Sequence, residues 1–192
     1  MKIRNSYIKK AGFTLVESMV AISILSMAVT GPLLIAQKGI GSAIYARDQI
    51  TAFYLAQEAV EYIRNVRDTN RIQNIWWLRQ FCGESPCTTV NGTYKIDTTY
   101  ANFNDDSSGA PKPGAISLCS GTCPTLSFDT DRKLYGYSGG VGTWVPTIFT
   151  RTITINNSAM ADQAEISVSI SWNTNLFSPV RTFTVKEYLF NF

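Results

Sequence analysis

The polar and apolar positions follow three rhythms along this chain. From Phe13 to Ala36 about two dozen residues carry one charge, Glu17. As a helix that run is roughly 36 Å long at about 1.5 Å per residue, enough to cross a bilayer core of about 30 Å. From about Ser42 to Asp68 the pattern becomes amphipathic: Ala52, Leu55, Ala59, Tyr62, Ile63 and Val66 recur at three- and four-residue spacing, the signature of one apolar helix face. Gln57, Glu58, Glu61, Arg64, Asn65 and Asp68 take the other face. Glu61–Arg64 and Arg64–Asp68 are spaced as ion pairs. Ile72, Ile75, Trp76, Trp77, Leu78 and Phe81 predict a short second helix over 70–81, with the paired Trp as packing residues rather than a binding surface.

Beyond it the period drops to two. Tyr94, Ile96, Thr98 and Tyr100 alternate with Lys95, Asp97 and Thr99. Phe149, Arg151, Ile153 and Ile155 share a face, as do Ile166, Val168, Ile170 and Trp172, and then Phe183, Val185 and Leu189, with Glu187 interrupting. Alternation with one apolar face predicts an antiparallel sheet. The strands near 147–156, 164–172 and 180–190 read as a C-terminal meander. The only long amphipathic element available to cover it is the N-terminal helix. The fold class is therefore α+β, with a nearly continuous helix from Phe13 to about Asp68 whose outer half lies on the sheet. No Pro or Gly occurs from Ser42 to Asp68, so no flexible linker separates span from domain.

Charge places the ends. Lys2, Arg4, Lys9 and Lys10 precede the apolar run, with no acid among residues 1–12. Basic residues beside a span hold that side in the cytoplasm, which sends the rest outside. The net charge of +3 comes from this leader. Without its four basic residues, 13 Lys and Arg face 14 Asp and Glu, a net of −1. The remaining chain has no basic field for nucleic acid. An ordinary secretory signal fits less well, because the apolar run is too long and no small-x-small cleavage site ends it.

Ala11-Gly12-Phe13-Thr14-Leu15-Val16-Glu17, after a basic leader and before an unbroken apolar segment, resembles the N-terminus of type IV prepilins and of the pseudopilins of type II secretion. The likeness covers about Ala11 to Ala36 closely and the amphipathic helix loosely. It implies a pilin-like fold and cleavage between Gly12 and Phe13 by a prepilin peptidase, with N-methylation of Phe13. The expected layout is a leader over 1–12, a membrane-spanning and filament-core helix over 13–36, and an extracytoplasmic domain over 37–192. Glu17, costly in a span and so a functional candidate by default, would neutralise the new Phe13 ammonium of a neighbouring subunit. Gly31-Pro32 weakens the helix, since Pro32 removes the backbone bond to Ala28. The pair marks a bend or a melting point on packing into a filament, and Thr30 is placed to re-satisfy the freed carbonyl. The expected function is a structural subunit of a type IV pilus or pseudopilus, first in the cytoplasmic membrane and then in a surface filament. Its partners would be the peptidase, other pilin subunits and the membrane. Aromatic-rich irregular segments and two cysteine loops favour a minor subunit. The competing reading is a single-pass anchored adhesin or DNA-uptake protein that never polymerises.

Cys82-Gly-Glu-Ser-Pro-Cys87 and Cys119-Ser-Gly-Thr-Cys123 complete the candidate chemistry. A four-Cys zinc site is one reading. The even count and extracytoplasmic placement favour two disulfides. Three connectivities exist, and the local one, Cys82–Cys87 with Cys119–Cys123, fits the turn-forming residues inside each loop. Asp105-Asp106 and Asp129-Thr-Asp131 lack the full ligand spacing of a calcium loop and read as solvated turns. The chain has no His, which removes the commonest general base and metal ligand. Gly139-Gly140-Val141-Gly142 lacks the lysine of a phosphate loop. No catalytic constellation, metal or cofactor is expected.

Overall fold

The structure is a computed structural model, and it describes residues 12–81, 90–99, 115–137, 142–157, 162–174 and 179–191. The chain divides into two compact units, Met1–Arg47 and Asp48–Phe192. Helix α1, Leu15–Ile72, contributes to both. In the first unit every residue from 12 to 47 is exposed. In the second, α1 packs on an antiparallel sheet, a pilin-like α+β arrangement.

The sheet consists of β1 (Asn91–Ile96), β2 (Ile116–Leu118), β3 (Thr125–Asp129), β4 (Leu134–Gly136), β5 (Trp144–Asn157), β6 (Gln163–Trp172) and β7 (Arg181–Phe190). The meander β5–β6–β7 is in continuous register, from Phe149 opposite Trp172 to Asn157 opposite Ala164, and from Gln163 opposite Phe190 to Trp172 opposite Arg181. On its other side β5 pairs with β3 through Trp144–Thr150 and with β1 through Ile153–Asn156. β2 and β4 extend β1 and β3 outward.

The inner face is built as the alternation requires. Phe149, Ile153, Ile155, Ala164, Ile166, Val168, Ile170, Trp172 and Leu189 are buried against Ala52, Leu55, Ala56, Ala59, Val60, Ile63 and Val66 of α1. Each buried Ile or Val side chain stabilises this contact by about 1.5–3 kcal/mol. Trp77, Leu78 and Phe81 close one end, so Trp77 is core.

The expected second helix over 70–81 is absent. α1 runs on to Ile72 and ends in a Schellman turn: the Asn74 N–H donates to the Arg71 carbonyl and the Ile75 N–H to the Asn70 carbonyl. Asn74 takes the left-handed conformation, φ 55°, which Asn tolerates better than most residues. The buried Asn70 carboxamide then donates to the Trp77 carbonyl at 3.0 Å and pairs with Gln80. Only Arg79–Phe81 regains a short 3-10 turn. β1 also ends earlier than the alternation suggests. Thr98 and Thr99 form a turn in which Asp97 accepts the Thr99 N–H and hydroxyl.

Two charged residues sit where the pattern put apolar ones. Arg151 is wholly buried between Phe149 and Ile153. It donates to the Glu58 carboxylate at 2.9 Å, the Ile96 carbonyl at 2.6 Å and the Leu55 carbonyl at 3.3 Å. Glu58 also accepts the Thr98 hydroxyl at 2.7 Å. Glu187, the interruption in β7, accepts from Arg64 at 2.6 Å. Arg64 also pairs with Glu61 at 2.6 Å, while Asp68 pairs with Arg67 instead of Arg64. β7 pulls the guanidinium across the helix, away from Asp68.

Tyr62 is buried near Asp97, and burial first, then that carboxylate, pushes its phenol from the ordinary 10.0 up to about 12. The folded protein thus holds this proton more tightly than the unfolded chain does. The resulting stabilisation is complete below about pH 10 and lost as the pH rises toward 12. The urea midpoint should fall across that window, and Tyr62→Phe should flatten the fall. Burial raises Tyr94 and Tyr137 in the same direction, so the flattening is partial. An unchanged pH profile in Tyr62→Phe would remove Tyr62 from the account.

Candidate processing and assembly site

Gly12, Phe13 and Thr14 precede α1 without helical structure. Thr14 caps the helix: its hydroxyl oxygen accepts the Glu17 N–H at 3.2 Å, and its carbonyl accepts the Ser18 N–H at 3.2 Å. The side-chain bond satisfies one of the four orphan donors that open any helix, and the carbonyl accepts the first regular helical bond. The spacing Thr14-x-x-Glu17 is that of a capping box, in which the acid side chain would reach back to the cap. Among the described residues the Glu17 carboxylate makes no such bond. It stands exposed in the first turn, four residues after Phe13, which is itself 80% exposed. Sequence reading singled out Glu17 but missed Thr14, although the box spacing was visible.

The helix behind this turn presents Leu15, Val16, Met19, Val20, Ile22, Ile24, Leu25, Met27 and Val29 to its surroundings. By length and composition it can cross a membrane, and none of that apolar window is buried in the protein. Its hydroxyls turn inward on the helix itself. Ser18 donates to the Thr14 carbonyl, Ser23 to Met19, Ser26 to Ile22 and Thr30 to Ser26, at 2.7–3.3 Å. Thr30 therefore serves the Ser26 carbonyl and not Ala28, whose backbone partner Pro32 removes. Pro32 lies inside α1. A Cβ on Gly31 would meet no heavy atom within 4 Å, so no close approach within the chain demands glycine there.

Residues 8–31 match the family model described as the prokaryotic N-terminal methylation motif. The chain carries a prepilin-type cleavage and methylation signal. No curated protein and no solved structure matches the chain. The methylation motif thus begins in the basic leader, contains Gly12, Phe13 and Glu17, and ends at Gly31, one residue before Pro32. With the apolar helix it heads, it marks a type IV pilin- or pseudopilin-like precursor with a membrane anchor.

The remaining candidates lie in the second unit. Cys119 and Cys123 are joined by a disulfide, with Cα atoms 5.2 Å apart. It closes a turn through Gly121 at φ 89°, between β2 and β3. Cys82, Cys87, Asp105 and Asp106 lie outside the described residues, as does the leader before Gly12. No cluster of three or more His, Cys, Asp or Glu with metal-binding geometry occurs among the described residues. Asp129 is committed to its own turn. It accepts the backbone N–H groups of Asp131 and Arg132 and the Arg132 guanidinium at 2.6 Å. That guanidinium holds its carboxyl below the usual carboxylate range. A side chain at Gly142, φ 141°, would collide with this carboxylate.

Proposed function

We propose that this chain is a filament subunit of a type IV pilus or related pseudopilus, inserted in the cytoplasmic membrane and then assembled through α1. In this reading residues 1–12 are a cytoplasmic leader, residues 13–36 span the membrane, and the domain after them lies outside. A prepilin peptidase cuts between Gly12 and Phe13, and the new N-terminus is methylated. Glu17 then neutralises the Phe13 ammonium of a neighbour. The observation that carries the reading is the methylation motif at the head of a helix whose residues from 15 to 47 bury nothing within their own chain. A helix apolar on every side needs lipid or other helices around it. An anchor alone would need neither the motif nor Glu17. The role is structural, and the two cysteine loops and irregular aromatic segments favour a minor subunit.

Mass spectrometry of the mature protein should show an N-methylated Phe13 as the first residue. Gly12 leaves the peptidase a side-chain-free residue at the cut, so Gly12→Val should retain the leader and abolish assembly. A mature chain that begins elsewhere would sink the reading. Processed protein absent from isolated surface filaments would favour an anchored adhesin or uptake protein, and its stoichiometry within them separates minor from major subunit.

A further inference from the structure

On the solvent face of the sheet, four strands bring four polar side chains into one cross-strand row. Asn91 of β1 stands opposite Asn156 of β5, Asn156 opposite Glu165 of β6, and Glu165 opposite Tyr188 of β7. With Asn157 and Gln163 they line a depression of about 260 Å³. We propose that this depression binds one ring of a neutral sugar, the terminal residue of a glycan.

The chemistry of the lining selects the ligand class. Four of the lining residues are carboxamides, a group that carries both donors and acceptors, as sugar hydroxyls do. Among the described residues no Lys or Arg lines it, which disfavours phosphate, sulfate or an acidic sugar. The one carboxylate, Glu165, is already paired with Lys186 at 3.1 Å. It therefore does not call for a cation, and its second oxygen remains open to a hydroxyl. Tyr188, half exposed, supplies an aromatic face for the C–H side of a ring. The volume lies just under the roughly 300 Å³ at which small-molecule sites begin, the scale of one ring.

The groups are also held ready. The Asn91 side-chain oxygen accepts the Asn157 N–H at 3.1 Å, and that N–H also donates to the Val90 carbonyl at 3.0 Å. Among the described residues, the Asn156 carboxamide and the Tyr188 hydroxyl make no hydrogen bond. Donors and acceptors on paired strands lose little freedom on binding. The row of Asn91, Asn156, Glu165 and Tyr188 lies on the face opposite the one covered by α1, so the proposal is independent of the filament reading.

The test is saturation-transfer NMR on the full chain in phosphocholine micelles, which carry no sugar headgroup. The probes are glucose, galactose, mannose and N-acetylglucosamine. At least one should show transfer to its ring protons with a millimolar Kd, as expected for about a dozen heavy atoms. Asn156→Ala and Tyr188→Ala should each weaken that binding about tenfold, the scale of one or two lost hydrogen bonds. Tyr188→Phe should keep most of it, and Thr152→Ala, elsewhere on the same face, all of it. Both altered positions are exposed, and unchanged urea midpoints show that the fold survives. No transfer to any of the four sugars, or transfer unaffected by Asn156→Ala and Tyr188→Ala, would overturn the proposal.

Discussion

Glu17→Val should leave insertion and cleavage intact and lower incorporation into filaments by about two orders of magnitude or more. The first half follows from transfer energetics. A carboxylate at mid-span costs about 2.5–3.5 kcal/mol on insertion scales, less near the interface, and valine removes that cost. The second half follows from what is left behind. In a water-free core an ammonium that loses its partner stays buried and unpaired, a loss of about 3–5 kcal/mol. In this chain the Glu17 carboxylate is free for a neighbour, because the return half of its capping box is not made. Competitive assembly of tagged wild-type and mutant subunits, scored by immunoblot of sheared filaments, measures the ratio. Equal incorporation would remove the intersubunit pair while leaving cleavage at Gly12-Phe13 untouched.

Glu58→Leu should destabilise the domain more than Arg151→Met. Removing Glu58 leaves a wholly buried guanidinium with two carbonyl partners and, among the described residues, no carboxylate bonded to it. Breaking one side of such a pair costs about 3–5 kcal/mol. Arg151→Met removes the charge itself and replaces it with a flexible apolar chain of similar length. Glu58, whose side chain is 38% exposed, can turn to water. What remains is the Ile96 carbonyl without its donor, a cost of about 1–3 kcal/mol. Equilibrium urea unfolding followed by tryptophan fluorescence separates the two. A larger loss for Arg151→Met would mean that the guanidinium matters as packing and not as half of a pair.

The helix stripe and the meander were readable because each repeats one period for long enough. Ala52 to Val66 covers four turns of one face, and β5, β6 and β7 each alternate over ten residues or more. β2, β3 and β4 run for three to five residues, too short to express a period, and Gly and Cys interrupt the stretch that holds them. The end of α1 is hidden in the sequence for a different reason: its stop signal is Asn74 in a left-handed turn, where a glycine would be conspicuous. Arg151 shares the face of its apolar neighbours by position, but nothing local identifies Glu58, 93 residues away, as its partner. At the candidate processing site the reverse holds. Gly12, Phe13 and Glu17 form a linear motif, legible without any fold. The polar row of Asn91, Asn156, Glu165 and Tyr188 exists only once four strands are in register.

The hydroxyls of Ser18, Ser23, Ser26 and Thr30 are all spent on carbonyls of their own helix. In a bundle of such helices they leave no directional contact to count turns by. Apolar side chains interlock at several nearby offsets with similar energy, so sliding along the axis meets only low ridges. On the proposed reading, a single charged position would then act as the index mark on an otherwise ungraduated rod. If that mark is lost, the rods still gather in lipid but have no preferred stagger.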